Sequence, residues 1–317
     1  MALYLTERDV EEMLTMDMAL AAVESAHAAH ARGRAIDVPR QRTRIPTAAL
    51  HILQGALLDD GVFGYKAYTT SRAGARFLVH LFDAATGSLL AVIEADRLGM
   101  MRTGAAGGVA AKWLAREDAA EAGIFGAGWQ AQSQIEALCR VRPIRRIKVF
   151  SRDEQKRREF CETQARRLGI EVVPATSAEQ AVRGSDVVVT ITSATTPLFP
   201  GDSLETGAHV TAAGSNALIR REIDEKTVQR AARVCVDSRA TALREAGDLL
   251  PALEKGRLAE GQLVELGEVI AGMRPGRLAS DEITLFESQG MAIQDIAVAK
   301  DLVALAREQG RGVELPY

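Results

Sequence analysis

A strand pattern, a glycine-rich turn and a helix pattern follow one another within residues 121–139. A short apolar run comes first, Gly126-Ala127-Gly128 breaks it, and apolar residues then recur at helical spacing. Gly126 permits a tight turn and Gly128 permits close approach, while the amide groups that open the next helix present the positive end of its dipole. Such a turn binds the pyrophosphate of a dinucleotide, with Ala131 in the third position of the glycine pattern. An ordinary strand-to-helix turn is the alternative.

Strand and helix patterns alternate through the following hundred or so residues. Strands are predicted at 146–150, 170–173, 187–191, 209–212 and 234–236, and helices at 153–168 and 178–182. This alternation predicts an α/β fold with a parallel, doubly wound sheet, which binds ligands at the carboxyl ends of its strands. Thr192 and Ser193 follow the strand at 187–191 at that edge. They are candidates for cofactor contacts, although turn chemistry alone also explains them.

The residues that follow the predicted strand at 146–150 indicate which dinucleotide binds. NAD sites usually carry an acidic residue there, which accepts a hydrogen bond from the ribose 2′-hydroxyl. This chain has Ser151-Arg152 instead, with Lys156 one helical turn further and Asp153 between them. Because a hydroxyl and a guanidinium suit a 2′-phosphate, we favour NADP(H) over NAD(H). The alternative is that Arg152 and Lys156 belong to the solvated basic face of the helix.

Composition is that of an ordinary globular enzyme. The chain has 317 residues, of which 47% are hydrophobic and 26% charged, so it is long enough for two domains with substantial cores. A net charge of −3 gives no field that would capture nucleic acid or an anionic membrane. No run approaches the length of a membrane helix, and the N-terminus lacks a signal-peptide pattern. We therefore predict a cytoplasmic protein without nucleic-acid or membrane partners.

The sequence predicts no metal site. Cys139, Cys161 and Cys235 are odd in number, lack close pairing and lie in apolar patterns, so they are expected to be reduced core thiols. His27 and His30 lie one turn apart on a predicted helix, but no carboxylate or cysteine accompanies them. We interpret both histidines as surface or interface residues.

The first third of the chain follows a different pattern. Thr6 precedes an amphipathic helix with Asp9 at the capping-box position, and a second helix ends at Gly33. Strand patterns at 76–82 and 88–93 flank a short turn that contains a glycine. These features predict an antiparallel α+β module before the doubly wound domain.

A helix rich in small residues, predicted within 100–116, links the two modules. Its glycines and alanines would let another backbone approach closely, as suits a helix at a domain boundary. We interpret Arg102 and Thr103 as the residues that open this helix. Because a cation at a helix N-terminus is unfavourable for the dipole, an anion is expected to meet Arg102 there.

Six motifs identify a family that the chain resembles over nearly its whole length. They are Gly64-Tyr65-Lys66, residues 81–87 (LFDAATG), residues 101–106 (MRTGAA), residues 126–131 (GAGWQA), residues 221–224 (REID) and the 286–295 stretch with Gly290. In type and order they resemble the ornithine cyclodeaminase/mu-crystallin family. The resemblance implies a Rossmann-type domain at 118–296, inserted into an α+β domain formed by 1–117 with 297–317. That α+β domain would bind substrate and form a homodimer through its sheet, and the active site would lie in the interdomain cleft.

The resemblance also implies an activity. Family members are nicotinamide-dependent enzymes that act on α-amino or α-imino acids, and they include cyclodeaminases of ornithine or lysine, alanine dehydrogenases and ketimine reductases; mu-crystallin adds hormone binding. We predict an NADP(H)-dependent reductase of an α-imino acid, such as Δ1-pyrroline-2-carboxylate, or reductive amination of a small 2-oxo acid. The alternatives are an ornithine cyclodeaminase, which makes proline and ammonia from ornithine, and a binding protein that holds NADP(H) and a ligand without turnover.

By the same resemblance, specific residues receive roles. Arg40 and Arg102 match the carboxylate-binding arginines, and Lys66 matches the active-site lysine, which binds substrate and donates a proton. Asn216 falls where cyclodeaminases have a catalytic aspartate, and it would orient substrate or water. Cofactor contacts are predicted for Thr103, Gly126, Gly128, Trp129, Gln130, Ser151, Arg152, Lys156, Thr192, Ser193 and Gly290. His51 falls where cyclodeaminases have a glutamate that meets the distal ammonium of ornithine. The differences at Asn216 and His51 both disfavour cyclodeamination of ornithine.

Overall fold

The structure, a computed structural model, describes residues 1–316 as two compact units. The first unit comprises Met1–Arg102 with the residues from Met291 onward, and the second comprises Thr103–Gly290. The sequence-based boundaries, at 117/118 and 296/297, lie further along the chain and stay predictions. No helix among the described residues is long and apolar enough to span a membrane.

The first unit is built on a seven-stranded, mostly antiparallel sheet. Its strands are β1 (Ala2–Leu5), β2 (Ala35–Ile45), β3 (Ala48–Leu57), β4 (Val62–Ser71), β5 (Gly74–Asp83), β6 (Leu89–Glu94) and β15 (Val313–Leu315). Its helices are α1 (Glu7–Met13), α2 (Met16–Ala31) and α11 (Ala292–Gln309). The strand order is β15-β1-β6-β5-β4-β3-β2, and α11 packs against α2, β3 and β4. This confirms the predicted α+β arrangement.

Local signals in this unit act as the sequence predicts. The Thr6 side chain accepts from the Asp9 amide, and Asp9 Oδ2 accepts from the Thr6 amide at 2.9 Å, which completes the capping box. Gly87 adopts φ of 72° in the turn between β5 and β6. The expectation for His27 is wrong, because its side chain is fully buried.

The second unit contains an eight-stranded sheet in which every pair is parallel. Its strands are β7 (Glu121–Phe125), β8 (Arg146–Phe150), β9 (Glu171–Pro174), β10 (Val187–Thr190), β11 (His209–Ala212), β12 (Ala231–Val236), β13 (Leu263–Glu265) and β14 (Ile283–Glu287). The helices are α4 (Trp129–Val141), α5 (Glu154–Leu168), α6 (Ala178–Val182), α7 (Glu225–Arg230), α8 (Arg239–Glu245), α9 (Leu250–Glu254) and α10 (Leu266–Ile270). The strand order is β13-β12-β14-β11-β10-β7-β8-β9. The predicted Rossmann-type sheet is therefore confirmed.

Helix α3 (Asp96–Leu114) contributes residues to both units and begins earlier than predicted. The carboxylate of Glu7 accepts from the amides of Asp96 and Arg97, so the first turn is capped from a distant part of the chain. Arg102 therefore lies in the second turn of the helix. The expectation that Arg102 and Thr103 open the helix is wrong, and with it the dipole argument for an anion at Arg102.

The small residues of α3 permit a close helix contact within the second unit, as the sequence predicts. A Cβ atom added to Gly104 would lie 2.5 Å from the backbone carbonyl carbon of Ser133 on α4. Since real Cβ atoms do not approach other atoms that closely, only glycine fits there. This contact packs α4, the helix that follows the glycine turn, against α3.

Candidate functional site

A cavity of about 1020 Å³ lies at the carboxyl ends of β7, β8 and β10 in the second unit. Its lining includes most of the predicted cofactor residues: Gly126, Gly128, Ser151, Arg152, Lys156, Thr192 and Ser193. Parallel sheets of this type bind their ligands at this edge. The structure thus brings these seven residues to one cavity, although their contacts with a cofactor stay a prediction.

The glycine turn leaves room for a phosphate group. Gly126 adopts φ of 118°, and a Cβ atom there would lie 2.7 Å from the Ile191 carbonyl oxygen. Gly128 is the N-cap of α4, it supplies no side-chain cap, and an added Cβ atom would meet only open space. The amides of the first turn of α4 therefore have no capping side chain, which suits a bound anion. The cavity fits a dinucleotide pyrophosphate.

The part of this cavity that is lined by the loop between β8 and α5 is basic. Arg152 and Lys156 are exposed and line it beside Ser151, whose Oγ donates to the Asp153 carbonyl oxygen at 3.3 Å. The Asp153 carboxylate caps α5 by accepting from the Lys156 amide at 3.0 Å. This capping bond satisfies an amide of the helix start, so Asp153 already has a structural role at this edge.

The remaining predicted residues of the second unit lie at several places. Trp129 and Gln130 form the first turn of α4, and the Thr103 carbonyl oxygen accepts from Gln134 Nε2 at 3.1 Å. Gly290 adopts φ of 83°, and its amide donates to Asp237 Oδ2 at 2.6 Å. Asn216 is half-buried in the loop that follows β11. The roles assigned to all of these residues stay predictions.

Glu222 holds together two loops at the same sheet edge. Its Oε1 accepts from the amide and the hydroxyl of Thr192, both at 2.6 Å, and its Oε2 accepts from the Gly214 amide at 2.8 Å and the Thr190 hydroxyl at 3.0 Å. Burial raises the pKa of Glu222 to about 7, while the Thr192 hydrogen bonds oppose that rise. The carboxylate thereby fixes Thr192, which lines the cavity at the carboxyl ends of β7, β8 and β10.

The first unit contains a buried cluster of two cations and one carboxylate. Lys66 Nζ lies 2.8 Å from Asp295 Oδ1 and 2.7 Å from Oδ2, and Arg102 Nε donates to Oδ1 at 3.1 Å. Lys66 is 2% exposed, Arg102 8% and Asp295 0%. Arg40, on β2, is also buried. The predicted substrate residues of this unit are thus buried, and a carboxylate that was given no role joins two of them.

The surroundings of Lys66 weaken its hold on its proton. Burial lowers the pKa of Lys66 to about 7, Arg102 acts in the same direction, and Asp295 opposes both. An amine with a pKa near neutrality exchanges its proton readily, which suits a general acid. The single Asp295 charge faces two cations, so an additional anion, such as a substrate carboxylate, is favoured beside them.

His51 lies on the neighbouring strand, stacked on Tyr68. The ring centroids are 4.3 Å apart with an interplanar angle of 3°, and His51 Nε2 lies 3.1 Å from the Thr70 hydroxyl oxygen. Burial lowers the pKa of His51 to about 4, and Arg42 and Arg40 add to that shift. The imidazole is therefore neutral near neutral pH and offers no negative charge to a distal ammonium.

Two residues at these sites received no role from the sequence, although both lie in recognised motifs. Asp295 is the sole acidic residue within the apolar first half of α11, and such a buried acid indicates a paired partner. Glu222 belongs to the Arg221–Asp224 motif, but its contacts join loops that are separate in the sequence. Among residues 1–316, no group of three histidine, cysteine, aspartate or glutamate side chains is arranged to hold a metal ion.

Comparison with known proteins places the chain in a family. The model of the ornithine cyclodeaminase/mu-crystallin family matches residues 2–309. A Delta(1)-pyrroline-2-carboxylate reductase of Bacillus cereus is 38% identical over 241 residues, which span 76% of this chain and 74% of that protein.

Two solved structures share the fold over the full length. Delta(1)-pyrroline-2-carboxylate reductase of Thermococcus litoralis, in complex with NADH and L-proline, is 33% identical with a TM-score of 0.94, covering 99% of this chain and 100% of that one. An archaeal alanine dehydrogenase dimer with bound NAD is also 33% identical with a TM-score of 0.94, covering 100% of this chain and 99% of that one. The chain therefore belongs to the ornithine cyclodeaminase/mu-crystallin family, as its motifs indicate.

Proposed function

We propose that the chain is a nicotinamide-dependent reductase of α-imino acids, with a cyclic ketimine such as Δ1-pyrroline-2-carboxylate as the first candidate substrate. The observation that carries this proposal is the buried Lys66 amine, whose pKa is lowered to about 7 beside the Arg102 guanidinium. Similarity to Delta(1)-pyrroline-2-carboxylate reductases supports the substrate class. Reductive amination of a small 2-oxo acid passes through the same type of imine and is included.

Each residue of the cluster has a defined task in this reaction. A bound nicotinamide supplies the hydride that reduces the imine carbon. Arg102 and Arg40 bind the substrate carboxylate, and the Lys66 ammonium donates a proton to the imine nitrogen. Burial of Lys66 excludes water from the proton that it transfers. Asn216 orients the substrate or a water molecule by hydrogen bonds.

The function is tested by oxidation of NADPH and NADH with a panel of cyclic ketimines and of 2-oxo acids with ammonia. We expect reduction of at least one cyclic ketimine, with the corresponding amino acid as product. Below a pH of about 7 the rate should be flat, and above it the rate should fall, because Lys66 loses the proton that it donates. Absence of turnover with every member of the panel would contradict the proposal.

We also propose a preference for NADP(H) within this activity. The basic residues Arg152 and Lys156 line the cavity, and the Asp153 carboxylate is engaged by the α5 amide. A 2′-phosphate offers a dianionic partner to these cations, whereas a 2′-hydroxyl does not. The relatives whose structures contain NADH or NAD support a nicotinamide cofactor in general.

Arg152→Ala tests this preference. The variant should bind NADPH at least tenfold more weakly and NADH about equally, since a charge-assisted hydrogen bond contributes about 1.5–3 kcal/mol. Calorimetry with both cofactors measures the ratio. The matched control is Arg158→Ala, which removes an exposed arginine of α5 that pairs with Glu154. An unchanged ratio of the two affinities in Arg152→Ala would contradict a contact between Arg152 and the 2′-phosphate, and tighter binding of NADH than of NADPH by the wild type would contradict the preference itself.

A homodimer formed through the sheet of the first unit is a further part of the proposal. Phe63 stacks on Phe82 and Tyr65 on His80, at centroid distances of 5.5 Å and 4.6 Å, and Phe63 is 39% exposed. An exposed aromatic face of this kind suits a second protein surface. Phe63→Asp should lower the mass measured by light scattering to that of one chain, while Leu278→Asp, an exposed residue of the second unit, should not. Dimers of Phe63→Asp would contradict this interface.

The ornithine cyclodeaminase alternative receives no support from the site residues. His51 is neutral, and Asn216 carries no charge, so neither provides the carboxylate that the family pattern places there for a diamino acid. Ammonia release from ornithine with catalytic NAD would establish that alternative. NADPH binding without turnover on the whole panel would instead support a binding protein. A cytoplasmic location stays a prediction.

A further inference from the structure

Asp295 occupies an unusual position for an acidic residue. It lies in the first turn of α11 close to the buried Ile293 and Ile296, and its side chain has no solvent exposure. An isolated carboxylate in such a place is strongly unfavourable, and it is tolerated only with close charged partners. Lys66 and Arg102 are those partners, at sequence separations of 229 and 193 residues.

The two cations contact the Asp295 carboxylate in different ways. The Lys66 ammonium lies within 2.8 Å of both oxygens, whereas Arg102 reaches only Oδ1, through Nε at 3.1 Å. The ammonium donates its hydrogen bond to Oδ1, and Oδ2 lies within ion-pair distance of it without a hydrogen bond. Because an ammonium on a flexible stem has no preferred position of its own, this contact fixes where the Lys66 ammonium lies.

A second contact locks the partner arginine. Arg102 Nη1 donates to Gln294 Oε1 at 2.9 Å, and Gln294 Nε2 lies 3.0 Å from His27 Nε2. His27 is fully buried, and burial lowers its pKa to about 3, so the neutral ring accepts from the Gln294 amide group. Consecutive residues of α11 therefore bind the two cations that the proposed reaction uses.

The charged and titratable groups around the Lys66 amine come from several elements of the first unit. Arg40 on β2 and Arg102 on α3 repel its proton, and Asp295 on α11 retains it. His51 on β3 and Tyr68 on β4 lie on the same sheet face, and Tyr68 has its ring centroid 6.0 Å from Lys66 Nζ. His27 on α2 is neutral. Asp295 is thus the one acidic group among these neighbours.

We propose that Asp295 is a positioning residue of the reductase: it orients the Lys66 ammonium and the Arg102 guanidinium and keeps Lys66 protonated during turnover. This inference rests on the proposed function. The imine carbon gains a hydride from the nicotinamide, and the imine nitrogen gains a proton from Lys66. Solvent then returns a proton to the Lys66 amine. Without the Asp295 charge, Lys66 would lose its proton at lower pH and would not be aligned.

Asp295→Asn tests the inference with two readouts. An opposite charge at this distance changes a pKa by about 1–3, so the Lys66 pKa should fall by that amount. The first readout is the pH dependence of the Lys66 side-chain carbon resonance in lysine-labelled protein, assigned with Lys66→Met. The second is the pH profile of ketimine reduction, whose falling limb should move to lower pH by the same amount. At a fixed pH on that falling limb, kcat/KM should decrease about tenfold each time the Lys66 pKa falls by 1.

The control is Asp301→Asn, which removes the same charge from the same helix at a partly exposed site paired with Lys300. It should leave both readouts unchanged. If Asp295→Asn does not fold, Asp295→Glu tests the positioning role instead, because it keeps the charge but moves the oxygens. The falling limb of its pH profile should stay at the wild-type pH, while its kcat should decrease. Wild-type kcat in that variant would overturn the positioning role.

The outcomes separate the inference from the proposed function. An unchanged Lys66 titration in folded Asp295→Asn would overturn the inference, whatever the activity. If the titration of the Lys66 resonance moves to lower pH but the falling limb of ketimine reduction does not, the role of Asp295 in turnover is overturned. The proposed ketimine reduction would still stand. A shifted resonance in a protein without ketimine reduction would support the electrostatic pairing and contradict the proposed function.

Discussion

The contact between α3 and α4 can be tested by adding a single methyl group at Gly104. The new Cβ atom would lie 2.5 Å from the carbonyl carbon, the carbonyl oxygen and the Cβ atom of Ser133. Two of these atoms belong to the backbone, so α4 as a whole must move. Overpacking of this kind costs about 1–3 kcal/mol. Because α4 begins directly after the glycine turn, its displacement should also weaken dinucleotide binding.

Gly99 provides a matched comparison in the same helix. A Cβ atom at Gly99 would meet no heavy atom within 4 Å. Replacement of a helical glycine by alanine otherwise stabilises by about 0.5–1 kcal/mol, and this gain is common to both variants. The difference between Gly104→Ala and Gly99→Ala therefore isolates the steric cost.

Urea unfolding and cofactor calorimetry measure the two consequences. We expect Gly99→Ala to be slightly more stable than the wild type with unchanged cofactor affinity. Gly104→Ala should be about 1–3 kcal/mol less stable than Gly99→Ala, with weaker cofactor binding. Equal free energies of unfolding for the two variants would refute the close approach of these helices.

Two further predictions concern buried charges. Glu222→Gln should weaken dinucleotide binding in calorimetry, because glutamine has one acceptor oxygen and cannot accept from both the Thr192 amide and the Gly214 amide. Glu179→Gln, on the exposed surface, should leave the affinity unchanged, and equal affinity in both variants would remove Glu222 from the cofactor site. Lys66 has a folded pKa of about 7 and an ordinary value of 10.5, so the unfolded chain binds an extra proton between these values. Its contribution to the free energy of unfolding should rise with pH across that window, and Lys66→Met should flatten the rise in urea unfolding. An equally steep rise in that variant would contradict the lowered pKa.

Local sequence signals predicted much of the fold. The strand at 209–212 and the helix at 178–182 have the predicted bounds, and Thr6 and Asp9 form the predicted capping box. These elements depend on apolar periodicity and on side chains that contact amides a few residues away. Such information is complete within a short window of sequence.

The errors occur where the decisive partner is distant in sequence. The start of α3 is capped by Glu7, 89 residues before Asp96, so the helix start has no local signal. His27 was expected at the surface because its partner, Gln294, is 267 residues away. Asp295 received no role for the same reason, since Lys66 is 229 residues distant. Tertiary pairing of polar groups is therefore what the sequence patterns did not reveal.

The most direct test of the central claim is formation of the amino-acid product by wild-type protein and by Lys66→Met, with Δ1-pyrroline-2-carboxylate and NADPH. Proline and oxidised nicotinamide should form in equal amounts with the wild type. Lys66→Met should lose turnover by about a hundredfold or more, because positioned acid catalysis contributes that much, while it still binds NADPH. Absence of proline with the wild type, or equal proline formation by Lys66→Met, would contradict the account.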